Sequence, residues 1–142
     1  VPFRRLDGST VRLAELASAG SVLLVFYKDT CPVCQLTMPF LERIREGKLK
    51  LYAVSQDDAA RTKAFARDYG ISFILLIDPA DGYVASNAFG ITHVPSMFVV
   101  ETDMRISWVS NGFVRVDMES LGAIADLPVL RESENVPAAK PG

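Results

Sequence analysis

With 142 residues, 49% of them hydrophobic, the chain has the length and apolar content of one packed domain rather than of a disordered segment. Its 15 Lys and Arg against 17 Asp and Glu leave a formal net charge of −2, and no basic stripe interrupts that balance, so nucleic-acid binding has no electrostatic footing. No apolar run approaches the roughly 20 residues that a membrane-crossing helix needs.

In chain order, Asp7-Gly8-Ser9 is a turn between Phe3-Arg4-Arg5-Leu6 and Thr10-Val11-Arg12-Leu13, which predicts a short hairpin. A helical turn is expected over 14–19. The almost wholly apolar segment from Ser21 to Tyr27 fits a central strand covered on both faces. From Pro32 to about Glu46 the pattern turns helical, with Cys34, Met38 and Leu41 at i, i+4 and i+7 on one apolar stripe. Pro32 suits the first helical position, where its missing N–H has no partner, and Pro39 should kink the helix. Leu49 to Ser55 is expected as a second strand, parallel to the first through a right-handed crossover.

Asp57 or Asp58 can cap a second helix running to about Tyr69 and ended by Gly70. Phe73 to Ile77 is a short strand, 78–82 a loop, and Tyr83 to Phe89 a short helix before Gly90. Ser96 to Val100 and Arg105 to Ser110 form an antiparallel pair around Thr102-Asp103, and Val116 to Asp126 a final helix. The domain is expected over 1–130. Residues 131–142, polar and proline-containing, are expected as a loosely held tail.

Both cysteines lie in one Cys31-Pro32-Val33-Cys34 unit directly after the first central strand. Two thiols so spaced at a helix start can close into a disulfide and reopen, and a strand feeding such a helix is the setting of a redox-active pair. Cys31 falls at the helix N-cap and Cys34 on the buried stripe, so the first should be accessible and the second covered. The thiolate is the attacking species, and a helix N-terminus favours negative charge. Cys31 is thus the expected nucleophile and Cys34 the resolving thiol. A structural zinc site needs four ligands, and the chain adds only His93 to the two cysteines. No metal or other cofactor is expected, and inert packing of the pair is the remaining alternative.

The chain resembles the thioredoxin superfamily, and more closely its TlpA/ResA-like or redoxin branch, related to AhpC/TSA proteins. The resemblance runs over roughly 6–124. It rests on Leu6-Asp7-Gly8, Val11-Arg12-Leu13-Ala14-Glu15-Leu16, Val25-Phe26-Tyr27 before Cys31-Pro32-Val33-Cys34, and Met38-Pro39. Val54-Ser55-Gln56-Asp57-Asp58, Phe89-Gly90-Ile91 and Val94-Pro95-Ser96 complete it. It implies an α/β thioredoxin-like fold, a central mixed sheet flanked by helices, with an N-terminal hairpin and a central insertion between Tyr69 and Thr92. It also implies that Pro95 is cis and packs opposite Cys31, so that the Val94 backbone can pair with an extended substrate strand. Three positions depart from the branch: Thr30 stands where Trp often precedes the first Cys, Val25 replaces a buried acid, and Thr37 replaces a Glu three residues after the second Cys.

Asp29, Gln56 or Asp57, and His93 are expected near the cysteines, and His93 could stabilise a thiolate as a cation. Thr30, Pro32 and His93 are therefore candidate modulators, with a solvated loop as the plainer alternative for His93. Trp108 and Ile106 fit a sheet face better than a substrate platform. Asp57-Asp58 and Asp78 with Asp81 fit caps and turns better than a metal site.

The implied function is thiol–disulfide exchange, reducing client protein disulfides with electrons from an upstream thiol reductant. Two alternatives stay open: a peroxiredoxin-like thiol peroxidase and a non-catalytic binding module. In the peroxidase alignment Cys34 takes the peroxide-reactive position and Cys31 the place of a Thr. The resemblance implies a periplasmic or otherwise extracytoplasmic setting. A single cysteine pair is also compatible with the cytoplasm, and Val1 as first residue leaves room for a removed signal or anchor. Oligomeric state stays open.

Overall fold

Six consecutive apolar or aromatic residues, Val22–Tyr27, form a strand (β3) that is buried from end to end. Such a strand must be covered on both faces, and the rest of the fold supplies those covers. The computed structural model describes residues 1–78, 82–132 and 134–142. Residues 79–81, the middle of the expected loop and the site of Asp81, lie outside the described residues.

The remaining strands are β1 (Pro2–Arg5), β2 (Thr10–Arg12), β4 (Lys50–Ser55), β5 (Ile74–Ile77), β6 (Ser96–Val100), β7 (Ile106–Asn111), β8 (Phe113–Val114) and β9 (Ala139–Lys140). The helices are α1 (Leu13–Leu16), α2 (Pro32–Glu42), α3 (Ala59–Tyr69), α4 (Val84–Ala88) and α5 (Arg115–Ala125). Seven strands form one mixed sheet in the order β2-β1-β5-β4-β3-β6-β7, and β8 and β9 pair separately. β3 runs parallel to β4 and antiparallel to β6. The expected hairpin is present as β1 and β2, with Phe3 opposite Val11. Its turn is tied by the Asp7 carboxylate, which accepts from Ser9 N–H at 2.8 Å. β1 also pairs with β5, so the strand of the central insertion joins the hairpin to the sheet.

Strand alternation divides the core in two. Leu23, Val25 and Tyr27 face Cys34, Met38 and Leu41 of α2, Phe65 of α3, and Met118 and Leu121 of α5. Val22, Leu24 and Phe26 face the other way, with Phe3, Leu13, Ala85 and Phe98. On that second face the Phe26, Phe89 and Phe98 rings lie 5.0 to 5.9 Å apart, at tilted or edge-on angles, the arrangement their quadrupoles favour. Among the described residues no helix is long and apolar enough to cross a membrane.

Several boundaries differ from the sequence pattern. α2 stops at Glu42 rather than about Glu46, and the chain continues in tighter turns, with Ile44 N–H bonded to Leu41 O and Gly47 N–H to Ile44 O, both at 3.0 Å. Burial of Ile44 and docking against the end of α5, where Lys48 N–H reaches Ala125 O at 2.8 Å, draw it out of the helical path. α2 runs through Pro39. Of the two candidate caps for α3, Asp58 is the one used, accepting from Arg61 N–H at 2.8 Å. Asp78 reaches across its loop to accept the N–H groups of Ala85 and Ser86 at the start of α4. Trp108 is half-buried against the core, whereas Ile106 is exposed on edge strand β7.

The expectation of a loosely held 131–142 tail is corrected. Arg43, the C-cap of α2, grips Glu134 with both guanidinium arms, at 2.6 and 2.9 Å. Val136 is buried, Arg115 donates to Val136 O and Ala138 O, and β9 pairs with β8. These fastenings use one ion pair and backbone groups, so they left no apolar periodicity to read. Arg43 holds the Glu134 carboxyl down at about 2, below its ordinary 4.5. A carboxyl depressed in the fold stabilises above its unfolded pKa and loses that contribution as pH falls through the folded one. Protection factors of the amides in 134–142, taken against the intrinsic exchange rate at each pH, are expected to fall between pH 4.5 and about 2, more than those in β3, and to be lower than the parent's at neutral pH in Glu134→Gln.

Candidate functional site

β3 ends at Tyr27, and the chain crosses Lys28-Asp29-Thr30 to Cys31, the N-cap of α2. Cys31 is extended, at φ −87° and ψ 112°, and Pro32 follows at the first helical position. The Cys34 N–H donates to Cys31 Sγ at 3.1 Å, a cap bond in which sulfur takes the place of the usual side-chain oxygen. Such a bond strengthens when the acceptor carries negative charge. Cys31 is partly exposed; Cys34 is 0% exposed and faces Val25 and Met38. Both are free thiols. Burial pushes the Cys34 thiol far above its ordinary value, and its hydrogen bond to Cys31 adds to this.

The register of β3 with β6, Phe26 opposite Ser96, brings the preceding loop to Cys31. The Val94–Pro95 bond is cis, and Cys31 Sγ donates to Val94 O at 3.4 Å. Pro95 O accepts from Gly112 N–H at 2.8 Å, and Ser96 Oγ closes the loop onto His93 O at 2.6 Å. The Val94 carbonyl therefore meets the sulfur, and the Pro95–Gly112 bond holds the loop that carries it.

The parallel register of β3 with β4, Tyr27 opposite Ser55, delivers a buried acid from the other side. The Asp57 side chain is 3% exposed and accepts from Asp29 N–H at 2.7 Å. Burial pushes its carboxyl above the ordinary value, while the Asp29 N–H and the Arg61 charge pull it back. Arg61 holds Asp29 through two 2.8 Å bonds and stands 3.9 Å from Asp57. Gln35 Nε2 donates to Asp29 O at 2.9 Å. The loop before Cys31 is thus tied to β4, α3 and α2.

Of the expected site residues, Cys31, Cys34, Val94 and Pro95 come together. Thr30 and Pro32 flank Cys31 and are exposed. His93 is exposed, and its Nδ1 is 3.0 Å from Thr92 Oγ1; no hydrogen bond joins it to Cys31. Thr37 is buried with its hydroxyl on Val33 O at 2.7 Å, a bond within its own helix. Val25 lies in the apolar core beside Cys34. Gly112 and Arg61 were not singled out from sequence. Gly112 offers a positive φ of +71° and no side chain, neither of which marks a site without its spatial neighbours. Arg61 reads as one more charge on an exposed helix face.

A reachable thiol and a covered one, one helical turn apart, can pass between dithiol and disulfide. The sheet order, the cysteine pair at the head of α2 and the cis-proline loop opposite define a protein of the thioredoxin-like fold. The chain belongs to the AhpC/TSA family, whose pattern matches residues 2–109. It is 30% identical over 112 residues to the thiol-disulfide oxidoreductase ResA of Halalkalibacterium halodurans, covering 75% of this chain and 62% of that one. It is 28% identical over 114 residues to a chloroplastic peroxiredoxin Q of Triticum aestivum, covering 74% and 52%. The chain thus spans between half and two thirds of the length of these relatives. The structure of a secreted Mycobacterium tuberculosis disulfide oxidoreductase superposes with a TM-score of 0.71 at 16% identity, covering 87% of this chain and 95% of that one.

Asp57→Ala leaves the Asp29 amide without its acceptor and is expected to cost about 1–3 kcal/mol. Asp57→Asn keeps an acceptor oxygen and is expected to lose less than half as much. Urea unfolding of the two variants against the parent protein measures both.

Proposed function

We propose that the protein is a thiol–disulfide oxidoreductase that reduces client protein disulfides, with Cys31 attacking and Cys34 resolving. The observation that carries this is the asymmetry of the pair: Cys31 sulfur is reachable and bonded to Val94 O and the Cys34 N–H, while Cys34 is sealed beneath it. The likeness to ResA supports the same reading. In the first step the Cys31 thiolate attacks one client sulfur, forming a mixed disulfide and releasing the other as thiolate. Cys34 then gives up its proton and attacks Cys31 sulfur, releasing the second client thiolate. The client gains two electrons and the protein holds the Cys31–Cys34 disulfide, which an upstream dithiol reduces. Val94 and Pro95 present the backbone along which an extended client segment lies, and Thr30 and Pro32 shape the rim. His93 is given no role in this assignment, because its one side-chain hydrogen bond runs from Nδ1 to Thr92 Oγ1 and none reaches Cys31. The working compartment is extracytoplasmic in this reading, supported by the secreted M. tuberculosis protein that shares the fold.

The 28% identity to peroxiredoxin Q favours a second reading, peroxide reduction. The complete burial of Cys34, which would hold the reactive position, weighs against it. Rapid sulfenic acid formation at Cys34 on peroxide treatment would favour the peroxidase.

Cys31→Ser is expected to abolish reduction of a protein disulfide, and Cys34→Ser to accumulate the mixed disulfide, as read by non-reducing electrophoresis and mass spectrometry. Full turnover in either variant overturns the proposal. Because burial raises the Cys34 thiol, the reactive thiolate is scarce at neutral pH, and release from the mixed disulfide is expected to speed up about tenfold per pH unit between pH 6 and 8. Stopped-flow measurement of the resolving step checks this. Equilibration with thiol buffers should place the pair near about −250 mV or lower, whereas a value near about −120 mV would make it an oxidant.

A further inference from the structure

We propose that residues 138–142 occupy the peptide groove beside Cys31 as a built-in competitor, so that a client strand must displace them; this rests on the oxidoreductase reading above. The segment approaches as an extended strand. Ala138 O accepts from Arg115 N–H at 2.9 Å, Ala139 stands opposite Val114, and Lys140 opposite Phe113. It then passes over Gly112, where a Cβ would collide with Lys140 O, and reaches Val94, where a Cβ on Gly142 would collide with the carbonyl oxygen. That carbonyl is the one bonded to Cys31 Sγ. Gly142 and the Cys31 sulfur therefore converge on a single backbone oxygen, that of half-buried Val94, next to Gly112, which lies buried against Lys140 and Gly142.

An extended segment that pairs through its backbone and leaves side chains free is how a sheet-edge groove takes a peptide. The occupant's composition, Ala138-Ala139-Lys140-Pro141-Gly142, matches the geometry. Small residues follow the ladder, and a residue without a side chain meets the Val94 carbonyl. The groove is accordingly suited to extended client segments with Gly at that point. Position 112 itself admits no Cβ while the segment is in place, since Lys140 O lies in that space.

The anchoring of the strap lies outside the groove. Glu134 on Arg43, buried Val136, and Arg115 on Val136 O and Ala138 O hold the segment up to residue 138. Residues 139–142 can then swing away without loss of those contacts. Being tethered, they compete at an effective concentration in the mM range, so free peptides must bind well to gain entry. Each net backbone hydrogen bond weights the closed state by about a factor of five.

The test uses Cys34→Ser protein, in which only Cys31 reacts, and two reagents that form the same bond. One is dithiodipyridine; the other is an extended Ala/Gly pentapeptide whose central cysteine carries a pyridyl disulfide. In each case Cys31 thiolate takes the reagent sulfur and 2-thiopyridone leaves, followed by absorbance. Deleting 139–142 is expected to raise the peptide rate about fivefold or more, with the dithiodipyridine rate changed less than twofold. Gly142→Val keeps the chain intact, dislodges only the residue at Val94, and is expected to raise the peptide rate in the same direction by a smaller factor. A peptide-to-dithiodipyridine ratio unchanged or lowered in both variants overturns the inference and leaves the oxidoreductase reading intact. Cys31 inert to both reagents in every protein overturns that reading itself.

Discussion

The whole site depends on burial of β3 on both faces and pairing along both edges. Each of its large side chains gains roughly 1.5–3 kcal/mol by leaving water, and a slip of one residue would exchange the two faces. The register with β4 and β6 is therefore steeply favoured. Its consequence is local: three chain segments must emerge together at the end of β3. The segment after β3 carries Cys31, the segment after β4 carries Asp57, and the segment before β6 carries Val94 and Pro95. Rigid strands thus position loops that need little regular structure of their own.

Polar contacts refine what burial has placed, and their strengths are unequal. The Arg61–Asp29 pair is well formed but half-exposed on the Arg side, so solvent screening leaves its contribution small. In the Asp57–Asp29 amide bond the accepting carboxylate is almost fully removed from solvent, and leaving that amide unpaired would cost more than the ion pair contributes. The loop before Cys31 is held chiefly from the β4 side, then, with Arg61 as a trim. A comparable division holds at 134–142, where buried Val136 and the Arg115 bonds to Val136 O and Ala138 O anchor the segment and the Arg43–Glu134 pair sets where it begins.

Membership of the AhpC/TSA family spans more than one chemistry, as the likeness to both an oxidoreductase and a peroxiredoxin indicates. A fold does not choose between them. The difference lies in which sulfur a substrate can reach. Here the N-cap thiol is open and the helical thiol sealed, an arrangement suited to handing a mixed disulfide from one sulfur to the next. Cys34 is buried beside Val25, and burial together with the neighbouring Asp57 charge opposes its ionisation, so in the proposed reaction proton loss from Cys34 is the demanding event.

The sequence by itself determined the elements that a local signal marks: the unbroken apolar run of β3, the α2 stripe of Cys34, Met38 and Leu41, the hairpin around the Asp7-Gly8-Ser9 turn, and the β6–β7 pair around Thr102-Asp103. It also placed Cys31 at a helix start and Cys34 on the covered face, because position along a helix fixes which way a side chain points. Resemblance, rather than periodicity, pointed to Pro95. Only the tertiary structure decided the rest. The end of α2 at Glu42 depends on α5, about 80 residues later, and the path of 134–142 depends on Arg43, Arg115 and the backbone of β8. Asp57, one of two adjacent acids, becomes the buried one because strand register turns it toward the Asp29 amide. Gly112 matters through the space it leaves for Lys140 O and its N–H on Pro95 O. Such contacts join residues distant in the chain through backbone groups common to every residue, so no local pattern of side chains could record them.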